Sequence, residues 1–162
     1  MIAAMAAERT IGTGTGIPWN LPRDRAHFRS YTAGKTMLLG RTTFEEMVGW
    51  FTGHRPIVLT NNQGYHHPDA AATAGSVAEA IKKTVEFGEP ELVVSGGASV
   101  YTAALPYADE IILTEIDLSI SGGAKFPELT LDKWAVTSRK HFPSDEENTH
   151  AMTIVRYNIL SH

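Results

Sequence analysis

The 162 residues predict a single α/β domain: a mixed, mainly parallel central sheet flanked by helices, with an antiparallel C-terminal edge. Three observations carry that expectation. Short apolar, β-branched runs alternate with helical patterns as far as Leu105. Two of these units join strand to helix through a Gly-containing turn. Beyond Glu110 the helices stop, and three long strand-like runs follow one another.

In chain order, "MIAAMA" reads as a first strand, weakened by its alanines. "ERTIGTGTGIPWNLP" is too rich in Gly and Thr to be regular and reads as one long loop. Pro22 suits the first turn of a helix, where its missing N–H goes unmissed, so a helix is expected from Pro22 to about Tyr31. "KTMLLGRTTFEEMVGW" reads as a buried strand, a Gly turn and a helix, and "RPIVLTNN" as another buried strand. "SVAEAIKKTVEF" reads as a helix with Ser76 as N-cap and Glu79 at the capping-box position. "PELVVSGGASVYTAAL" repeats the strand, turn and helix. "EIILTEIDLSI", "KWAVTSRKHF" and "HAMTIVRYNIL" are the closing strands. There is no repeat or linker, so the domain is expected to span 1–162.

Composition narrows the function. The chain has no cysteine, which removes disulfides and thiolate metal sites and is compatible with a cytoplasmic home. No apolar run is long enough to span a membrane. A formal charge of −4 argues against nucleic acid, so any anionic ligand must be held by local positive groups. The seven histidines show no ligand spacing, and no metal site is expected.

Chemistry concentrates in two places. The turns "LLGRTTFEE" and "VVSGGASVY" each put Gly at the end of a strand and hydroxyl residues at the start of a helix. Free N–H groups there favour an anion. Arg41, Thr42, Thr43 and Ser99 add polar groups, and two such turns side by side suggest a dinucleotide, although neither is the GxGxxG fingerprint. The other place is Asp24. In the first helical turn it shares a face with Phe28, and on position alone an exposed helix-end Asp is the plainer reading. Burial against Phe28 would instead raise its pKa and equip it to exchange a proton or grip an amidine-like edge with both oxygens. Trp19 lies in the loop beside it.

The segments "IAAMAAERTIGTGTGIPWNLPRDRAHF", "GRTTFE", "VVSGGASVY" and "ILTEID", with Phe126-Pro127, together resemble the dihydrofolate reductase family, in order and across nearly the whole chain. The resemblance implies that family's fold and the reduction of 7,8-dihydrofolate to 5,6,7,8-tetrahydrofolate by NADPH. It implies that Asp24 is the active-site acid, Thr114 its hydroxyl partner, and Trp19 the tryptophan that orders a water there. Ile2, Ala3, Ala4, Phe28, Met47, Phe51, Ser95 and Tyr101 fall at the substrate pocket. Ala4, Ile11, Gly12, Gly16 and Ile17 fall against the nicotinamide, with 11–17 as a mobile loop. Gly40, Arg41, Thr42, Thr43, Leu59, Thr60 and Asn61 fall along the adenosine phosphates. Gly96, Gly97, Ala98, Ser99, Val100 and Tyr101 form the second phosphate turn, with a cis peptide between the two glycines.

The chain departs from the family at four places. His54 stands where an Arg usually holds the substrate's glutamate carboxylate, and Arg55 comes one later. Ser95 and Arg25 replace apolar residues, and Gly122, Gly123 and Ala124 stand where an acidic loop residue is common. Arg25, with Arg55 as competitor, is the candidate for the tail. A cytoplasmic monomer is expected, with a dimer left open, and no nucleic-acid or membrane partner. Two other readings stay open: a reductase of another pterin or an aminopyrimidine ribitol compound, and a non-catalytic nucleotide-binding module.

Overall fold

The computed structural model describes residues 1–12 and 18–161. In the described residues the chain runs β1 (Ile2–Met5), a 3₁₀ turn, β2 (Thr10–Gly12), α1 (Pro22–Thr32), β3 (Thr36–Gly40), α2 (Arg41–Glu46), β4 (Arg55–Leu59), β5 (Ala72–Ala74) and α3 (Val77–Glu86). It continues through β6 (Leu92–Val94), α4 (Ala98–Ala104), a second 3₁₀ turn, β7 (Glu110–Ile116), β8 (Ala124–Lys125), β9 (Trp134–Phe142) and β10 (Met152–Ile159). The chain divides into two compact units, residues 1–28 with 105–162, and residues 29–104. The division falls inside α1.

In the second unit all strands run parallel, in the order β5-β4-β3-β6. β3 lies between β4 and β6, and its residues Thr36 to Leu39 are all fully buried. That two-sided burial is why "TMLL" reads as a continuous run with no alternation. In the first unit the order is β1-β7-β10-β9, with β1 parallel to β7 and the C-terminal hairpin antiparallel. Parallel strands followed by an antiparallel edge are the arrangement expected.

The structure corrects the reading of residues 8–22 as entirely loop. Thr10–Gly12 form β2, which pairs with β8. Three residues are too few to show a period, and the partner comes from a distant part of the chain. Gly123 has a positive φ, and a Cβ there would lie 2.1 Å from the Gly12 carbonyl oxygen, so this ribbon needs glycine on sequence-distant grounds. β5 was also unsignalled, for the same reason of length.

The start of α1 is held by the other end of the chain. The Asn148 side chain accepts from the Arg23 N–H at 3.0 Å, and Arg23 pairs with Asp145 at 2.7 Å. Among the described residues no helix is long and apolar enough to cross a membrane, and no three metal-ligating side chains gather.

Candidate active site

Asp24 lies in the first turn of α1, and the first unit's sheet determines what it meets. On β7, Ile112 and Thr114 point to one face. Thr114 is 1% exposed and stands between Ala4 of β1 and Ile154 of β10. Its hydroxyl hydrogen-bonds the Asp24 carboxyl, as does the Trp19 side chain. The indole is packed against a cluster of Leu21, Ile116 and Met152, which fixes its direction. Burial pushes the carboxyl above its ordinary value, against the opposing pull of Thr114, Trp19 and the Arg25 charge. Asp24, Thr114 and Trp19 are thus brought together.

Of the remaining candidates in this unit, Ile2 and Ala3 are buried, and Ala4 and Phe28 half-buried. Ile11 and Gly12 belong to β2. Gly16 and Ile17, like the rest of 13–17, lie outside the described residues. Arg25 is exposed and donates to the Asn20 side chain.

In the second unit the two Gly turns meet. The Gly40 N–H donates to the Gly96 carbonyl at 2.9 Å, and the Gly96–Gly97 peptide is cis, as the resemblance implies. A Cβ on Gly40 would lie 3.1 Å from a Val100 methyl, and one on Gly97 3.3 Å from the Thr43 hydroxyl. The turns therefore present bare backbone where a side chain would press on its neighbours. Thr43 and Ala98 are half-buried beside them, while Arg41, Thr42 and Ser99 are exposed and Val100 and Tyr101 buried. Leu59 is the register partner of Gly40, so Thr60 and Asn61 leave β4 at the same edge. Arg41 pairs with Glu45 at 3.7 Å.

Met47 is half-buried at the end of α2, and Phe51 stacks on Phe44 with centroids 5.6 Å apart. Ser95 donates its hydroxyl to the Val93 carbonyl at 3.2 Å. Arg55 pairs with Glu89 at 3.3 Å. One arrangement had no signal in the sequence reading. The Arg29 guanidinium lies 4.5 Å from the Trp50 ring, and the His54 ring packs tilted against the same tryptophan with centroids 4.7 Å apart. Burial and the Arg29 charge hold the His54 imidazole below its ordinary pKa, so it is neutral at pH 7.

The family profile described as dihydrofolate reductase matches residues 1–159. Dihydrofolate reductase of Neisseria gonorrhoeae is 38% identical over 141 residues, covering 86% of this chain and 85% of its own. That of Bacillus subtilis is 33% identical over 158 residues, with 96% and 91% covered. Among solved structures, dihydrofolate reductase from Enterococcus faecalis complexed with NADP(H) and RAB-propyl superposes with a TM-score of 0.83 at 26% identity, over 99% of this chain and 95% of that one.

Proposed function

The chain belongs to the dihydrofolate reductase family, and from that membership we propose that it reduces 7,8-dihydrofolate to 5,6,7,8-tetrahydrofolate with NADPH. The observation that carries the reading within this chain is the half-buried Asp24 carboxyl, raised in pKa by its desolvation and gripped by Thr114 and Trp19. Asp24 takes the N3 and 2-amino edge of the pterin with both oxygens and promotes protonation at N5. Thr114 and Trp19 hold the carboxyl in the orientation that this grip requires. In the first unit Ile2, Ala3, Ala4 and Phe28 supply the wall on the Asp24 side, and Met47, Phe51, Ser95 and Tyr101 are the second unit's candidates for substrate contact.

The residues fit a dinucleotide at the two Gly turns, because a Cβ at Gly40 or Gly97 would crowd Val100 or Thr43 where a phosphate needs free backbone. NADPH bound there supplies the hydride. Arg41, Thr43, Thr60 and Asn61 take the 2′-phosphate and pyrophosphate side. For the substrate's carboxylate tail, Arg29 is the better candidate than Arg25, because it is already ordered on Trp50 beside a neutral His54. The protein works as a cytoplasmic monomer, which light scattering and cell fractionation test. Oxidation of NADPH by the purified protein, dependent on dihydrofolate, tests the activity. Its absence would remove the proposal.

A further inference from the structure

The first unit holds a cavity of about 470 Å³ that the reductase chemistry does not use. Its floor follows from register. Arg156 on β10 stands between Ile112 and Ser138, and Ile154 stands between Thr114 and Lys140. By strand alternation these residues share the sheet face of Thr114. Arg23 and His27, one turn apart on α1, form the wall. Ile112 and Ile154 make the floor apolar. Phe142 closes one side, with the Arg23 guanidinium 5.0 Å and the Lys140 ammonium 5.1 Å from its ring centre.

The charge of this lining is one-sided. Arg23, Lys140 and Arg156 line it, and among the described residues no carboxylate does. Arg23 is tied to Asp145 and Arg156 to Glu110, at 2.7 and 3.4 Å, but Lys140 makes no ion pair among the described residues. On a chain of net charge −4 this is a local positive field. His27 adds an unmet requirement, since its Nε2 is buried without a hydrogen-bond partner among the described residues. Burial and the Arg156 charge hold its imidazole below the ordinary pKa, so it stands neutral at pH 7. A buried polar atom left unpaired costs about 1–3 kcal/mol. A polar group in the cavity can recover that through a small reorientation of the ring.

We propose that this cavity binds a small organic oxyanion, a carboxylate or phosphate carried on a flat apolar body, with Lys140 as the principal charge contact. The apolar body lies on Ile112 and Ile154 beside the Phe142 ring. The oxyanion meets Lys140, and the two tethered arginines add to the field. This chemistry is opposite to that of Asp24, which suits a cationic edge.

The test uses the full chain with histidine rings isotopically labelled for NMR, saturated with NADP⁺ and folate so that the reductase site cannot take up the probe. Phenyl phosphate, benzoate and inorganic phosphate are titrated separately. Saturable movement of the His27 signals by phenyl phosphate or benzoate is expected, and the tighter of the two identifies the headgroup. Inorganic phosphate, lacking an apolar body, is expected to bind at least about tenfold more weakly, or about 1.4 kcal/mol. Lys140→Glu lies on an exposed strand position and is expected to weaken binding at least about tenfold with turnover unchanged. The proposal is overturned if no organic probe moves His27, if Lys140→Glu binds like the parent, or if inorganic phosphate binds equally well.

Discussion

Asp24 shows how far a single residue can be read. Its helical position was legible, because Pro22 starts the helix and Phe28 lies one turn on. Its partner Thr114 came only from the family resemblance and from no local pattern, because Thr114 is distant in sequence and its place follows from the β1-β7-β10 register. Asp24→Asn keeps the shape but removes the ionisable proton, and turnover at neutral pH is expected to fall about 100-fold or more. With burial raising the folded pKa, the fraction of protonated Asp24 falls as pH rises through that value. Parent turnover is therefore expected to decline toward alkaline pH, and a pH profile of the Asn variant should lack that limb. The same shift has a stability consequence. Above the ordinary Asp pKa the folded chain binds more protons than the unfolded one, so ionisation through the folded pKa lowers stability. Asp24→Asn is expected to melt higher than the parent at pH 7, and a lower melting temperature would contradict the raised pKa of this carboxyl. The tail contact also belongs at this scale. Arg29→Leu is expected to raise KM for dihydrofolate about tenfold and to leave a tail-less dihydropterin unaffected, with Arg25→Leu the weaker of the two. Equal effects on both substrates would remove Arg29 from the tail and favour a different pterin as substrate.

Elements with long local signals were the readable ones. α3 is the clearest case: Ser76 accepts from the Glu79 N–H at 3.1 Å, as its sequence pattern predicts. The reciprocal half of the box differs. Glu79 reaches past the cap to the Gly75 N–H at 2.7 Å, so the same carboxylate satisfies a donor one residue further out. Ser76→Ala is expected to cost about 1 kcal/mol of stability, measured by urea denaturation, with no change in KM for either substrate. A change below about 0.3 kcal/mol would mean that Glu79 alone holds this helix end. The elements that escaped the reading, β2, β5 and β8, are two or three residues long and exist because a partner strand supplies their hydrogen bonds. The Gly turns lie between these cases. Their glycines announced a tight approach, but that Gly40 and Gly96 would bond to each other depends on β3 and β6 being neighbours.

At the scale of the whole molecule, the open matter is whether the two compact units unfold separately. The first is discontinuous, since residues 105–162 must return to residues 1–28 before it is complete. The boundary between units, after Phe28, falls within the continuous helix Pro22–Thr32. A helix of this length has no costless place to stop, because ending it at Phe28 would expose the last four carbonyls of one part and the first four N–H groups of the other. Its N-terminal turn is held by Asn148 and Asp145. Residues on its last turn carry the Tyr31–Glu91 hydrogen bond at 2.9 Å and the buried Thr32. A melt confined to either unit would cut this helix, and on that ground we propose that the two units unfold together. We expect one calorimetric transition whose measured enthalpy equals its van't Hoff value. NADPH at a hundred times its Kd is expected to raise the stability of that one transition by about 2.7 kcal/mol. Two transitions, with only the one containing residues 29–104 moved by NADPH, would show instead that the units are separate domains and that the Gly turns hold the cofactor without help from the rest of the chain.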